Sequence, residues 1–231
     1  MDDEDLKRAA AERALEEVRN GMLLGLGTGS TARYFIAGVA SLVQGGMRLS
    51  AVATSKASAA QARELGIVLV EEAQNPLDLT VDGADEIDPG LNLIKGLGGA
   101  LLREKVVASA SRRMVVIATE EKLVPRLGTR GPLPVEVLPL LWQRTAERLE
   151  RLGLRPRLRP QRPGAASPHL TDNGNLILDC GLDPVADLML LAARLEAIPG
   201  VLGHGLFLGL ASVAMVGTRS GVRLIEASAP A

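Results

Sequence analysis

The sequence holds a single cysteine, Cys180, which excludes an internal disulfide. A small core residue is the expectation for it. Its only two histidines, His169 and His204, stand far apart, with no Cys or carboxylate at metal-ligand spacing. Structural histidines fit that pattern better than zinc ligands. Aromatic residues make up 2% of the chain, so the core must be aliphatic and no base-stacking platform is available. The lone tryptophan, Trp142, lies in a helical stretch and reads as packing. No charge of one sign dominates. Lys and Arg number 26 against 27 Asp and Glu, a net charge of −1, which leaves nothing to neutralise a nucleic-acid backbone. No apolar run approaches the roughly 18 residues that would span a bilayer. The acidic start, Met1-Asp2-Asp3-Glu4-Asp5, lacks the basic-then-apolar order of a signal peptide. Neither nucleic acid nor membrane is an expected partner, and a soluble cytoplasmic protein is the expectation.

What is present is ordinary in bulk: 231 residues, 47% hydrophobic and 23% charged. That length makes one large domain or two small ones and can bury a sizeable core. Glycine is abundant, at 25 residues, which suggests tight turns or backbone brought close to a ligand.

Leu6, Ala10, Ala14 and Val18 recur at helical spacing and predict a helix over 5–19, stopped by Asn20-Gly21. An apolar strand over 22–26 runs into the glycine-rich turn 25–31, and a helix follows over 32–43. Strands over 49–53, 67–70 and 77–81, with a helix over 59–65, continue the alternation. A loop over 82–90, a glycine cluster at 96–99, a helix over 100–111 and a buried strand over 114–118 complete this half. Strands alternating with helices predict a parallel sheet covered on both faces.

From about residue 131 the texture changes. A strand over 135–138, a helix over 140–152 and a strand over 155–159 precede a loop at 160–168. A hairpin over 170–179 turning at Asn173-Gly174, a helix over 184–196 and a strand over 201–207 follow. That order, β-α-β-β-α-β, is a split βαβ unit. Residues 211–225 could return to the first sheet.

Three segments could carry chemistry. The turn Gly25-Leu26-Gly27-Thr28-Gly29-Ser30-Thr31 opens a helix, and would offer N–H groups, three hydroxyls and a dipole end to an anion. The alternative is a tight strand–helix turn with an N-cap. The dinucleotide pattern fails, because Ser30 or Ala32 stands where its last glycine belongs, and no Gly-Lys-Ser/Thr exists for a P-loop. A small phosphorylated metabolite fits better than a nucleotide. The second segment, Asp82-Gly83-Ala84-Asp85-Glu86-Ile87-Asp88, packs four carboxylates into seven residues after an apolar strand. Ligands of open α/β sheets bind at that end of a strand, and crowded carboxylates should include some that hold protons near neutrality. A solvated acidic turn remains the alternative; the EF-hand pattern does not match. In the third segment Lys95 meets the glycine cluster, and Glu104 falls about one turn into the next helix. By pattern alone Glu104 is an exposed member of a charged Arg103-Glu104-Lys105 face.

Taken together, GLGTGST at 25–31, DGADEID at 82–88, IKGLGGALLREK at 94–105 and PLPVEVLP at 132–139 resemble the A-type ribose-5-phosphate isomerases. TDNGN at 171–175, IPGV at 198–201 and GLF at 205–207 extend the resemblance over essentially the whole chain. It implies an α/β fold: a Rossmann-like domain, 1–130 completed by 206–231, with an inserted α+β lid of split βαβ, ferredoxin-like type over 131–205. It implies interconversion of ribose 5-phosphate and ribulose 5-phosphate in the pentose phosphate pathway, without metal or organic cofactor, by a homodimer or tetramer. By the same carry-over Glu104 is the base, and Asp82 and Asp85 assist ring opening and proton shuttling. Lys95 and the N–H groups of Gly96, Leu97, Gly98 and Gly99 stabilise the enediolate. Thr28, Gly29, Ser30, Thr31, Gly83, Ala84, Lys122 and Lys7 line the substrate site, with Ser30, Thr31 and Lys7 at the phosphate. The sequence departs from the family after 207, where Leu208-Gly209-Leu210-Ala211-Ser212 replaces a more polar stretch.

Two rival functions are weaker. A sugar-phosphate deaminase or CoA-transferase relative would keep the glycine turn but lack the combined Asp82, Asp85, Lys95 and Glu104 set. A non-catalytic sugar-phosphate sensor usually carries a DNA-binding domain, for which the chain before the first strand leaves no room.

Overall fold

The computed structural model describes residues 2–71, 75–183 and 187–226. The first helix, α1 (Asp3–Leu15), begins at a reciprocal cap between Asp2 and Asp5 and carries three acids in its first turn. It stops earlier than the periodicity predicts, because Glu17 and Val18 fold into a tighter turn on the Ala14 and Leu15 carbonyls. Val18 is nonetheless buried. There follow β1 (Leu23–Leu26), α2 (Ala32–Gln44), β2 (Ser50–Ala53), α3 (Lys56–Glu64) and β3 (Val68–Leu69). Next come β4 (Leu79–Asp82), β5 (Glu86–Ile87), β6 (Leu93–Ile94), α4 (Leu101–Ser109) and β7 (Met114–Thr119). The chain continues through β8 (Leu133–Val137), α5 (Trp142–Arg151), β9 (Arg155–Leu158), β10 (Leu176–Gly181) and α6 (Leu188–Glu196). It closes with β11 (Val201–His204), β12 (Leu206–Phe207), β13 (Val213–Thr218) and β14 (Gly221–Glu226).

The principal sheet has the order β14-β13-β7-β4-β1-β2-β3, and only β14 runs antiparallel to its neighbour. Successive side chains of a strand face opposite ways, and both faces are covered. On β7, Val115 and Ile117 pack with Phe35, Ile36 and Ala14 of the helices, while Met114, Val116 and Ala118 pack with Phe207, Leu93 and Ala108. Full burial of a side chain such as Phe35 or Ile36 stabilises the fold by about 1.5–3 kcal/mol. From β1 the chain winds to β2 on one side, whereas β4 leads to β7 on the other. The strand order therefore reverses between β1 and β4, where open α/β sheets form a crevice.

The second sheet, β11-β8-β10-β9, is antiparallel and backed by α5 and α6, in the predicted β-α-β-β-α-β order. Buried Cys180 and half-buried Trp142 belong to its core. Two expectations change here. The 170–179 hairpin reduces to a bridge between Leu170 and Leu176, because β10 takes its ladders from β8 and β9. The strand expected over 201–207 divides at Gly205, whose N–H donates to Pro134 O at 2.8 Å and whose carbonyl accepts from Lys95 N at 2.9 Å. A side chain there would run into the Lys95 carbonyl. Of the helix expected over 184–196, Leu188–Glu196 is helical and 184–186 lie outside the described residues.

After the division, β12 joins β6 and β5 in a small antiparallel sheet, of which β5 falls in the loop expected over 82–90 and β12 is the end of the strand expected over 201–207. It ties Lys95, next to β6, to the end of β4.

Candidate active site

At the reversal point the C-terminal ends of β1 and β4 lie side by side. Asp82, last residue of β4, is fully buried. Its Oδ1 accepts from Thr28 N at 2.9 Å and Gly83 N at 2.7 Å, so the carboxylate pins both loops to one point. Gly27 is required for this approach, since a Cβ there would fall on Asp82. Lys95 reaches the same point from the small sheet, 2% exposed. Its Nζ lies 3.1 Å from Asp82 Oδ2 and 3.1 Å from Glu104 Oε1, and donates to Gly83 O at 2.5 Å. Phe207 closes the remaining side, with its ring centroid 5.5 Å from Nζ. Burial presses the Lys95 ammonium toward its neutral form, but Asp82, Glu104 and Asp85 outweigh it, so its pKa rises and the charge is kept.

Glu104 is 4% exposed, which overturns the charged-face reading. The first turn of α4 points inward at this position, and the face pattern of three charged residues in a row could not register that. Burial, the largest influence, pushes the Glu104 carboxyl above its ordinary value; Lys95 pulls against it, while Asp82 and Asp85 add to it. Its Oε2 is buried without a partner among the described residues. Asp85 is half-buried and accepts from Leu97 N at 2.9 Å. Burial raises its pKa, against the pull of that N–H and of Lys95, Lys122 and Arg159. The other two carboxylates of the acidic segment turn away. Glu86 accepts from Gly128, Arg130 and Gly131 N–H groups at 2.6–2.9 Å, and Asp88 caps Gly90 and Asn92. Mutual crowding of four acids is therefore not what this segment does.

A cavity of about 120 Å³ opens over this cluster. Its wall contains Thr28, Gly29, Ser30, Thr31, Gly83, Ala84, Asp85, Lys95, Gly96, Gly98, Glu104 and Lys122. The first turn of α2 stands at one end, and no side chain caps it at Thr31, which leaves its N–H groups for an anion. Thr28 Oγ1 is held 2.7 Å from Thr54 Oγ1 and 3.3 Å from Ser58 Oγ, a hydroxyl ladder that the sequence reading did not single out. Asp82 lies behind this wall, under Gly83. Leu97 presents its N–H to Asp85 and an exposed side chain to a neighbouring hollow. Gly99 donates to Gly96 O at 3.0 Å, so its N–H is already engaged, and His169 packs on its Cα side. Lys7 is outside the wall; its ammonium sits 2.6 Å from Asp3 Oδ2 and 3.1 Å from Glu4 Oε1 of its own helix. His204 is a buried structural histidine between Lys105 and Glu196, held near 4, by burial first and then by the lysine.

A larger groove, about 680 Å³, runs beside α3 and α4. Among the described residues no buried acid–lysine cluster faces it, and size alone does not place chemistry. The fold and the smaller cavity define an enzyme of acid–base chemistry: a buried carboxylate beside a retained ammonium, with a helix N-terminus placed for an anionic group.

The sequence profile of ribose 5-phosphate isomerase A (phosphoriboisomerase A) matches residues 50–221. A ribose-5-phosphate isomerase A of Roseiflexus sp. (strain RS-1) is 52% identical, covering 100% of this chain and 98% of its own. A ribose 5-phosphate isomerase A structure from Methanocaldococcus jannaschii superimposes with TM-score 0.92 at 35% identity, over 97% of this chain and 100% of that one. A D-ribose-5-phosphate isomerase in complex with phospho-erythronic acid gives 0.93 at 38%, over 98% and 100%. The chain belongs to the ribose 5-phosphate isomerase A family.

Proposed function

We propose that Glu104 carries the proton in the reaction of this chain, with Lys95 holding the oxyanion that forms. The chain is an aldose–ketose isomerase that interconverts D-ribose 5-phosphate and D-ribulose 5-phosphate through an enediolate, in the non-oxidative pentose phosphate pathway. In the open-chain aldose, Glu104 takes the C2 proton, the carbonyl oxygen at C1 becomes an enediolate oxygen, and the Glu104 carboxyl returns a proton to C1 as the C2 carbonyl forms. Lys95 and N–H groups of the glycine turn balance the negative charge. Asp85, half-buried on the cavity wall, moves the hydroxyl protons and assists ring opening, and Asp82 keeps Lys95 charged and in place. The phosphate binds at Ser30, Thr31 and the start of α2, with Lys122 nearby, and supplies binding energy that positions C1 and C2.

The single observation behind this reading is the buried contact of Glu104 and Lys95, 3.1 Å apart, on the cavity wall. Glu104→Gln keeps the shape and removes the base. We expect turnover of ribose 5-phosphate to fall by about 10²–10⁴-fold, with binding retained, and proton exchange at C2 with solvent to stop. Wild-type turnover in that variant would remove the base assignment. The family resemblance further supports a cytoplasmic homo-oligomer, dimer or tetramer, in which residues 131–205 act as a lid. Exposed Leu140, Leu141 and Met189 on that unit offer apolar surface for self-association, and sedimentation at micromolar concentration checks it.

A further inference from the structure

Arg159, which follows β9, crosses from the four-stranded sheet to the glycine turn of the site. Its side chain is 11% exposed. One edge grips Asp179 of β10 at two points, Nε to Oδ2 at 2.9 Å and Nη2 to Oδ1 at 2.5 Å. From the other edge, Nη1 donates to the carbonyls of Gly96 and Leu97, each at 3.0 Å. The forked geometry of a carboxylate-held guanidinium leaves it little freedom to do otherwise.

Those two carbonyls decide where two N–H groups point. A trans peptide sets its N–H opposite its C=O, and no peptide among the described residues is cis. With Gly96 C=O turned to Arg159, Leu97 N–H must face the other way, and there it meets Asp85 Oδ2 at 2.9 Å. With Leu97 C=O also turned to Arg159, Gly98 N–H must face away from the guanidinium too. Gly98 lies on the cavity wall with Asp85, and its N–H has no acceptor among the described residues. Gly96, with φ +106°, allows the turn that presents both carbonyls on one side.

We propose that Arg159, anchored by Asp179, is a positioning residue for the isomerisation: it aims the Leu97 N–H at Asp85 and the Gly98 N–H into the cavity as a donor to the enediolate. This rests on the reading of the cavity as the isomerase site. A guanidinium on the carbonyl side also polarises both peptides, which strengthens the donors on the opposite side. The site is thereby completed only when the four-stranded sheet is seated on the glycine turn. Asp85 is faced by Lys95, Lys122 and Arg159, by the Leu97 N–H, and by the opposing carboxyl of Glu104.

Arg159→Ala should lower kcat for ribose 5-phosphate by about 10–100-fold, somewhat less than the outright removal of an oxyanion donor, with KM within about threefold. The acid limb of the kcat/KM–pH profile should move upward, because Asp85 loses its best-oriented donor. Asp179→Asn, which keeps the arginine but loosens its anchor, should show the same pattern in weaker form, and Arg159→Lys should restore only part of kcat. Should Arg159→Ala not fold, the latter two variants carry the test. A kcat within twofold of wild type, a loss confined to KM, or an unmoved acid limb in a folded variant overturns the proposal. Glu104→Gln measured alongside separates the two readings. If it stays active, the site itself is misassigned; if it is dead while the Arg159 variants are normal, only the positioning role fails.

Discussion

Glu104 Oε1 lies 3.1 Å from Lys95 Nζ, while Glu104 Oε2 is buried with no hydrogen-bond partner among the described residues. One oxygen is anchored to a cation and the other is unengaged. A buried acceptor left unsatisfied costs about 1–3 kcal/mol. Burial of this kind favours the protonated form of the carboxyl, and Glu104 stands on the cavity wall.

The first prediction concerns pH and stability. Burial raises the Glu104 pKa, so the folded chain holds this proton where the unfolded chain, near 4.3, has released it. That contribution to stability is complete below the unfolded value and is lost as pH rises through the higher folded one. Melting temperature measured upward from pH 4 should therefore decline more in the wild type than in Glu104→Gln. Parallel curves for the two proteins would mean that Glu104 titrates normally.

Chelation provides a second test. The Lys95 ammonium occupies the point between Asp82 and Glu104 where a cation could otherwise sit, 3.1 Å from each. Activity after exhaustive treatment with a strong chelator should remain within about 20% of the untreated enzyme, since in the proposed mechanism the ammonium supplies the charge that stabilises the oxyanion. A loss that a divalent ion reverses would contradict this.

Gly27→Ala probes the approach of the two loops. The added Cβ would lie 2.5 Å from Asp82 Cα, a backbone atom that cannot swing aside. Overpacking of this kind costs about 1–3 kcal/mol or more, and the displaced carboxylate should cost activity as well. Denaturant midpoint and isomerase rate should fall together. An unchanged midpoint would mean that the loops are not pinned as described.

Glu136 is a fourth point to test. It is fully buried in β8 and accepts from Thr171 Oγ1 at 2.9 Å, Asn173 Nδ2 at 3.1 Å and Asn175 Nδ2 at 2.8 Å. The turn it holds also reaches the principal sheet's helices, through Asp172 to Lys56 N and Asn173 to Arg103. Glu136→Ala strands the three donors and should destabilise by about 3 kcal/mol or more, with Glu136→Gln milder. Thermal unfolding checks it, at about 2–4 °C per kcal/mol for a chain of this size. Equal melting temperatures for Glu136→Ala and wild type would show that the donors find other partners.

Local order carried much of the fold in readable form. The run from the strand at Leu24 through Gly27 and Gly29 to the helix at Phe35 is written in adjacent residues, as is the β-α-β-β-α-β order between Leu133 and His204. Periodicity is a short-range property, and strands and helices have different periods. The same reading misplaced Glu104, because a charged triplet looks the same whether its middle member faces water or a cavity. It counted Glu86 and Asp88 with Asp82 and Asp85, because spacing does not record which loop a carboxylate will cap. Arg159 stood among Arg155, Arg157 and Arg162 with nothing to mark it.

By itself, the amino-acid sequence determined the succession of elements, the glycine turns and the set of chemically able residues, since each depends on neighbours along the chain. Only the tertiary structure decided which of those residues meet. Asp82, Lys95 and Glu104 come from three different elements, and Arg159 and Asp179 come from a second sheet. Their charges become partners because burial removes the water that would otherwise keep them apart, and because the strand order reverses between β1 and β4 to leave a crevice at that point.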